Sequence, residues 1–196
     1  MPPPFFKTMR DISDEEARKL TEGAARGNRA SMQELYGLFG GLVGGVCHRY
    51  LSDPDDVCDA VQNTFVAVLS SISRFEFNGL ASLKSWIRRI AVNESLKIVS
   101  QHTRFEQLDD NPQAETLADE HHDNDIDNID PETLLALINR LPEGCRTVLN
   151  LYVFEGKSHR EIAKILNISE GTSASQYLRA KARLRALILE HLNQSA

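Results

Sequence analysis

The stretch from Lys157 to Arg185, KSHREIAKILNISEGTSASQYLRAKARLR, constrains this chain more than any other. Ser158 followed three residues later by Glu161 is the reciprocal pairing that satisfies two free N–H groups at a helix start. Ile162, Ala163, Ile165 and Leu166 then supply an apolar face at helical spacing. Asn167, Ile168 and Ser169 break the pattern. Ser169 can cap a second helix, Glu170 to about Leu184, buried through Tyr177, Leu178 and Leu184. Two helices across a three-residue turn, with the small Ala163 where they would cross, form a helix-turn-helix. Such a pair lays its second helix in a DNA major groove. Arg160, Lys164, Arg179, Lys181, Arg183 and Arg185 face only Glu161 and Glu170, a balance suited to phosphate contact. The plainer alternative is two packed helices with a solvated basic face.

The net charge of −6 is unusual for a DNA binder, but it is unevenly spread. Residues 1–100 are neutral overall, residues 101–130 carry −9, and residues 131–196 carry +3. A basic C-terminal domain therefore stands behind an acidic segment. Cys47, Cys58 and Cys145 are odd in number and lack CxxC spacing, which suits a reducing compartment and rules out a disulfide framework. The longest apolar-plus-glycine run, Leu38 to Cys47, is too short to span a bilayer. The opening residues 1–12 read as a loose tail without a secretory core. Six scattered His and three scattered Cys form no recognisable catalytic or metal site, so no enzyme, cofactor or metal is expected.

Caps and apolar spacing predict helices through the first hundred residues. Ser13 to Glu16 opens one to about Arg26, and Ser31 to Glu34 opens another to about Leu51. Gly37, Gly40, Gly41, Gly44 and Gly45 lie inside the second, each costing up to roughly 1 kcal/mol against Ala. Their spacing makes a smooth stripe, so a closely packed neighbouring helix is expected there. Asp53 caps a third helix with Pro54 in its first position and Asp55 and Asp56 at the positive dipole end. Its core stripe is Val57, Val61, Phe65, Val68, Leu69 and Ile72, leaving Asp59, Gln62 and Asn63 off the stripe. The loop 75–82 contains Phe75 and Phe77, which either anchor it to the core or offer faces for bases to stack on. A fourth helix, about Leu83 to Val99, carries Trp86, Ile87, Ile90, Ala91 and Leu96 on one side, with Lys84, Arg88 and Arg89 toward the other.

Several short motifs occur in a fixed order: Asp59-Ala-Val-Gln62-Asn-Thr-Phe65, Trp86-Ile-Arg-Arg-Ile-Ala91-Val-Asn93, Leu141-Pro142 with Arg146, Glu161-Ile-Ala163, and Gly171-Thr172 with Arg179-Ala180. Together they resemble bacterial sigma-70-family factors of the extracytoplasmic-function (ECF) group, over about residues 15–99 and 131–190. The resemblance implies an all-α chain of two helical domains: a sigma-2-like domain at 13–100 and a sigma-4-like helix-turn-helix domain at 131–196. It implies promoter recognition for core RNA polymerase in the cytoplasm, without membrane insertion. Expected partners are the largest-subunit coiled coil and the flap of the polymerase, promoter DNA, and an anti-sigma protein. By motif position Asp59, Gln62 and Asn63 would contact the polymerase. Phe75, Phe77, Asn78, Trp86, Arg88, Arg89 and Asn93 would meet the melted −10 strand. Thr172, Ala174, Ser175, Gln176, Leu178, Arg179, Lys181 and Arg183 would meet the −35 element. This chain departs from the family habit at Val57-Cys58, at Ser100-Gln101 in place of an arginine pair, and at Ala174, which offers a thymine only a methyl. Two other readings remain at this point: a stand-alone helix-turn-helix regulator, and a sigma mimic that titrates an anti-sigma protein.

The segment 101–130 joins the two domains and is poor in apolar residues, so a flexible acidic spacer is expected. Asp123-Asn-Asp125-Ile-Asp127 resembles the start of a calcium loop, but Asn128 and Leu134 stand where glycine and glutamate are needed. Asp130-Pro131 then opens four helices. The first has the stripe Leu134, Leu135, Leu137, Ile138 and Leu141; the second buries Val148, Leu149, Tyr152 and Phe154 and closes at Gly156.

Overall fold

The computed structural model describes residues 11–106 and 129–195, and among these every regular element is helical. The chain divides into two compact units, Met1–Ile98 and Val99–Ala196. The tail at 1–10 and most of the acidic segment, including the calcium-like run and its charges, lie outside the described residues.

In the first unit, α1 is Asp14–Ala25, α2 Arg29–Tyr50 and α3 Pro54–Ser71, with a 3₁₀ turn Ile72–Arg74 after α3; α4, Leu80–Glu106, begins in this unit and runs past its boundary at Ile98. The local caps form: Ser13 Oγ accepts from the Glu16 N–H at 3.2 Å, and Asp53 Oδ1 accepts from Asp55 at 2.8 Å. The second cap differs from expectation. Asn28, not Ser31, starts α2 by accepting from the Ser31 N–H at 3.1 Å. Gly27 before it, at φ +81°, makes the chain reversal that frees Asn28 to do so. The core is Leu35, Phe39, Val43 and Tyr50 of α2, Val57, Val61, Phe65 and Val68 of α3, and Leu83, Ile87 and Ala91 of α4. Leu69 of the expected stripe is only half-buried. Buried Thr64 and Ser95 return their hydroxyls to carbonyls four residues back, so neither leaves a polar atom unsatisfied. Both also approach the Cys47 thiol, whose burial pushes its pKa up to about 11.

One expectation fails at three of its five glycines, and another shifts its bounds. At Gly37, Gly40 and Gly45 an added Cβ would meet nothing within 4 Å, so these three glycines do not seat a close helix. The fourth helix starts at Leu80 rather than Leu83 and continues to Glu106, so the first six residues of the expected spacer are helical. The non-helical loop shrinks to 75–79.

In the second unit, α5 is Pro131–Asn139, α6 Glu143–Leu149, α7 His159–Leu166 and α8 Glu170–Ser195. Asp130 caps α5 through the Glu132 and Thr133 N–H groups, and the Thr133 hydroxyl, followed by those N–H groups, holds its carboxyl below the usual range. Leu137, Ile138, Leu141, Cys145 and Leu149 pack on Ala180, Leu187 and Ile188 of α8. Leu134 and Leu135 are half-buried. Arg146, 4% exposed, donates to the Asn139 and Leu141 carbonyls at 3.1 and 3.3 Å, closing the C-terminus of α5.

After α6 the chain winds into a π-helical turn, Asn150–Phe154. The expected burial of Tyr152 and Phe154 is overturned: Leu151 is buried, while Tyr152, Val153 and Phe154 are exposed. Residues 145–151 are buried in an unbroken run, so the core is filled before the chain reaches Tyr152, whose ring turns to His159 and Tyr177 instead.

Candidate polymerase and nucleic-acid interfaces

The helix-turn-helix forms as its residues dictate. Ser158 and Glu161 exchange both capping hydrogen bonds, at 2.9 and 3.3 Å, and the Ser158 N–H and hydroxyl, both donating to the Glu161 carboxylate, lower its pKa. Asn167 ends α7 at φ +55°, a conformation Asn tolerates better than most side chains. Ser169 then caps α8 by accepting from the Thr172 N–H at 2.9 Å, and its hydroxyl also pairs with the Thr172 hydroxyl at 2.8 Å. The two helices are locked by buried Ile162, by buried Ser173 bonded to His159 Nδ1 at 3.0 Å, and by Tyr152, whose ring stacks on His159 at 4.7 Å and meets Tyr177 at 4.5 Å.

On α8, Thr172, Ser175, Leu178, Lys181 and Arg183 are exposed, and Ala174, Gln176 and Arg179 are half-buried. Leu178 is a correction: at 64% exposed it is not a core residue. Positions 173, 177, 180 and 184 turn inward, and 178 falls off that stripe. Ile165 of α7, expected in the apolar face, is also exposed. Gln176 sits against α6: its Oε1 accepts from the Cys145 thiol at 2.9 Å, beside Gly144. Burial raises the Cys145 pKa, with Arg179 and Arg183 drawing it back, so the thiol keeps the proton it donates. Exposed Ser175 and Leu178, with Gly171, share one outward face at spacings of four and three residues.

The second surface surrounds loop 75–79. The Phe75 ring stacks on Trp86, centroids 4.6 Å apart and 24° from parallel. Beside the pair lies a cavity of about 500 Å³, lined by Arg74, Phe75, Glu76, Ser82, Trp86 and Arg89 among others. It combines aromatic surface, two cations and one carboxylate, and its size suits a small planar ligand. Of the seven residues expected here, Phe75, Trp86 and Arg89 line the cavity. Phe77, Asn78, Arg88 and Asn93 do not: Phe77 lies under the Arg18 guanidinium at 5.0 Å, and Asn93 is exposed one turn beyond Arg89.

The third surface is the outer face of α3. Asp59, Gln62 and Asn63 are all exposed. Val66 continues the same face and is 67% exposed, and Tyr36 of α2, also exposed, packs its ring on Phe65 at 4.4 Å. Sequence reasoning missed both apolar members. Val66 stands seven residues from Asp59, so helical spacing alone would have found it. Tyr36 carried no such signal, because it comes from another helix.

Comparison with known proteins completes the picture. The family profile for sigma-70 region 2 matches residues 35–105, and that for sigma-70 region 4 matches residues 132–184. The ECF RNA polymerase sigma-E factor of Haemophilus influenzae is 29% identical over 172 residues, covering 83% of this chain and 89% of that protein. The RNA polymerase sigma-H factor of Pseudomonas aeruginosa is 27% identical over 182 residues, covering 87% and 92%. Among solved structures, CnrH in complex with the cytosolic domain of CnrY aligns over 87% of this chain and 96% of its own, at 24% identity and TM-score 0.45. Two region profiles matched in order, with relatives aligned along most of both chains, lead to one assignment: the chain belongs to the sigma-70 family, as an ECF sigma factor.

Proposed function

We propose that this chain directs core RNA polymerase to specific promoters and assists their opening, and that it performs no chemistry of its own. One observation carries the reading: the region 2 and region 4 matches fall in order on two separate helical units, the second built around a capped helix-turn-helix. The units divide the work at about residues 100 and 131. In the first, the α3 face with Asp59, Gln62, Asn63 and Val66 docks on the largest-subunit coiled coil, polar contacts surrounding one apolar anchor. The cavity beside Phe75 and Trp86 takes an unstacked base of the −10 strand, with Arg89 near the backbone phosphates. Phe77, Asn78, Arg88 and Asn93 extend that contact along the strand. Holding the opened strand shifts the duplex toward melting by mass action.

In the second unit α8 enters the major groove at the −35 element. Arg179, Lys181 and Arg183 supply position and affinity through phosphates. Thr172, Ala174, Ser175 and Leu178 face base edges, and the Leu178 and Ala174 side chains fit thymine methyls. Gln176, held by Cys145, has its amide nitrogen left for donation. The polymerase flap and an anti-sigma protein are the remaining partners, and the cytoplasm is the site of action. No described helix is long and apolar enough to cross a membrane. Run-off transcription with core polymerase and a genomic promoter library tests the whole reading. Defined start sites that depend on this chain are expected. Tight duplex binding by the chain alone, with no initiation, would instead fit a stand-alone regulator.

A further inference from the structure

Helix α1 lies outside the region 2 match, yet it grips the loop beside the cavity. Helix α4 begins at Leu80, and its first N–H groups need an acceptor. Gly79 just before it has no side chain to offer, and it cannot easily be replaced because its φ is +94°. The acceptor comes from 66 residues away, where Asp14 Oδ1 receives the Leu80 N–H at 2.7 Å. One turn along the same face of α1, Arg18 lies over the Phe77 ring at 5.0 Å. Helix α1 also packs on the Ile72–Arg74 turn that leads into the loop. The loop is therefore held at its start, middle and end by a single helix.

We infer that Asp14 and Arg18 are positioning residues for single-strand recognition: they fix the loop so that Phe75 stands on Trp86 and the cavity keeps its shape. The inference rests on the proposal that this cavity takes a base of the −10 strand. Loop positions held this tightly discriminate between bases, because a pocket that can relax accepts more than one shape. Asp14 is exposed, so replacing it opens no gap in the core.

The test uses holoenzyme assembled from core polymerase and the full chain. The probe is a pool of fork-junction DNA, randomised both in its duplex −35 half and in its non-template single strand, and bound molecules are sequenced. Phe75→Ala should flatten base preference at one or more single-strand positions. Asp14→Ala should flatten the same positions and weaken binding about 5-fold, the size of one lost helix cap. Asp14→Asn, which keeps an acceptor oxygen, should restore preference, and Arg18→Ala should lose part of it. Preference in the duplex half should not move. If Phe75→Ala flattens preference while Asp14→Ala and Arg18→Ala select as wild type, the positioning role is overturned. If Phe75→Ala itself selects as wild type, the base-capture reading fails and takes this inference with it. Should Asp14→Ala damage both halves alike through misfolding, Arg18→Ala decides by the same criterion.

Discussion

Replacing Arg146 by Met sets two large effects against each other inside the sigma-4 unit. Arg146 is 4% exposed, and burial lowers its pKa, with Glu143 opposing that shift. Taking a cation out of water costs several kcal/mol, and Met would recover that cost. Against it stand the two carbonyls at the end of α5, Asn139 and Leu141, which accept at 3.1 and 3.3 Å. A carbonyl left buried without a donor costs about 1–3 kcal/mol, and the cation also favours a helix C-terminus by about 0.3–1 kcal/mol. Swapping both members of a buried polar pair for apolar groups can be neutral, but here only one member is replaceable, because the other is backbone. The carbonyl and dipole contributions together come to about 2–7 kcal/mol and the recovered desolvation offsets part of them, so a net loss of about 2–4 kcal/mol is expected for Arg146→Met. In a unit this small that is a large part of the total, and its melting should fall by roughly 10–25 °C. Circular dichroism melts of the full chain, with hydrogen exchange to assign the transition to α5–α8, provide the measurement. Duplex DNA affinity should fall with the folded fraction. Melting of Arg146→Met at or above the wild-type temperature would refute the reasoning and show that desolvation dominates.

Further outcomes are expected for binding, stability and labelling. Asp59→Arg should weaken binding to core polymerase severalfold while leaving the melting temperature unchanged, since the side chain is exposed; equal affinity by titration would remove α3 from the docking face. Arg179→Ala should weaken all promoters alike and reduce the salt slope of duplex binding by about 0.9 for the lost phosphate contact. Double substitution of Ser175 and Leu178 should instead change base preference in a selection from random duplexes. Cys47, with its pKa raised from 9.0 to about 11, contributes stability that is complete below pH 9 and lost as pH rises toward 11, because the unfolded thiol ionises first. Cys47→Ala should flatten that part of the alkaline stability profile. Under native conditions a thiol reagent should label exposed Cys58 quickly and buried Cys47 and Cys145 slowly.

Local hydrogen-bonding chemistry made much of the fold legible from the sequence by itself. Ser13, Asp53, Asp130, Ser158 and Ser169 cap the helices they were expected to cap, because a cap joins groups two or three residues apart and needs no tertiary partner. The main core stripes followed from the same 3.6-residue period, and the order of motifs was enough to point to the family. Tertiary structure decided what that period cannot carry. The buried run already ends at Leu151, so Tyr152 and Phe154 stand at the surface, and the Tyr152 ring meets His159 and Tyr177 of other helices. Leu178 looked apolar enough for the core, but the inward face of α8 was already filled by Tyr177 and Ala180. Gln176 reads as a groove residue until Cys145 of α6 is brought beside it. The grip of Asp14 on Leu80 spans 66 residues, and no spacing rule reaches that far. Local patterns determine where helices begin and which face is apolar; which side chains meet across helices depends on a chain that has already folded.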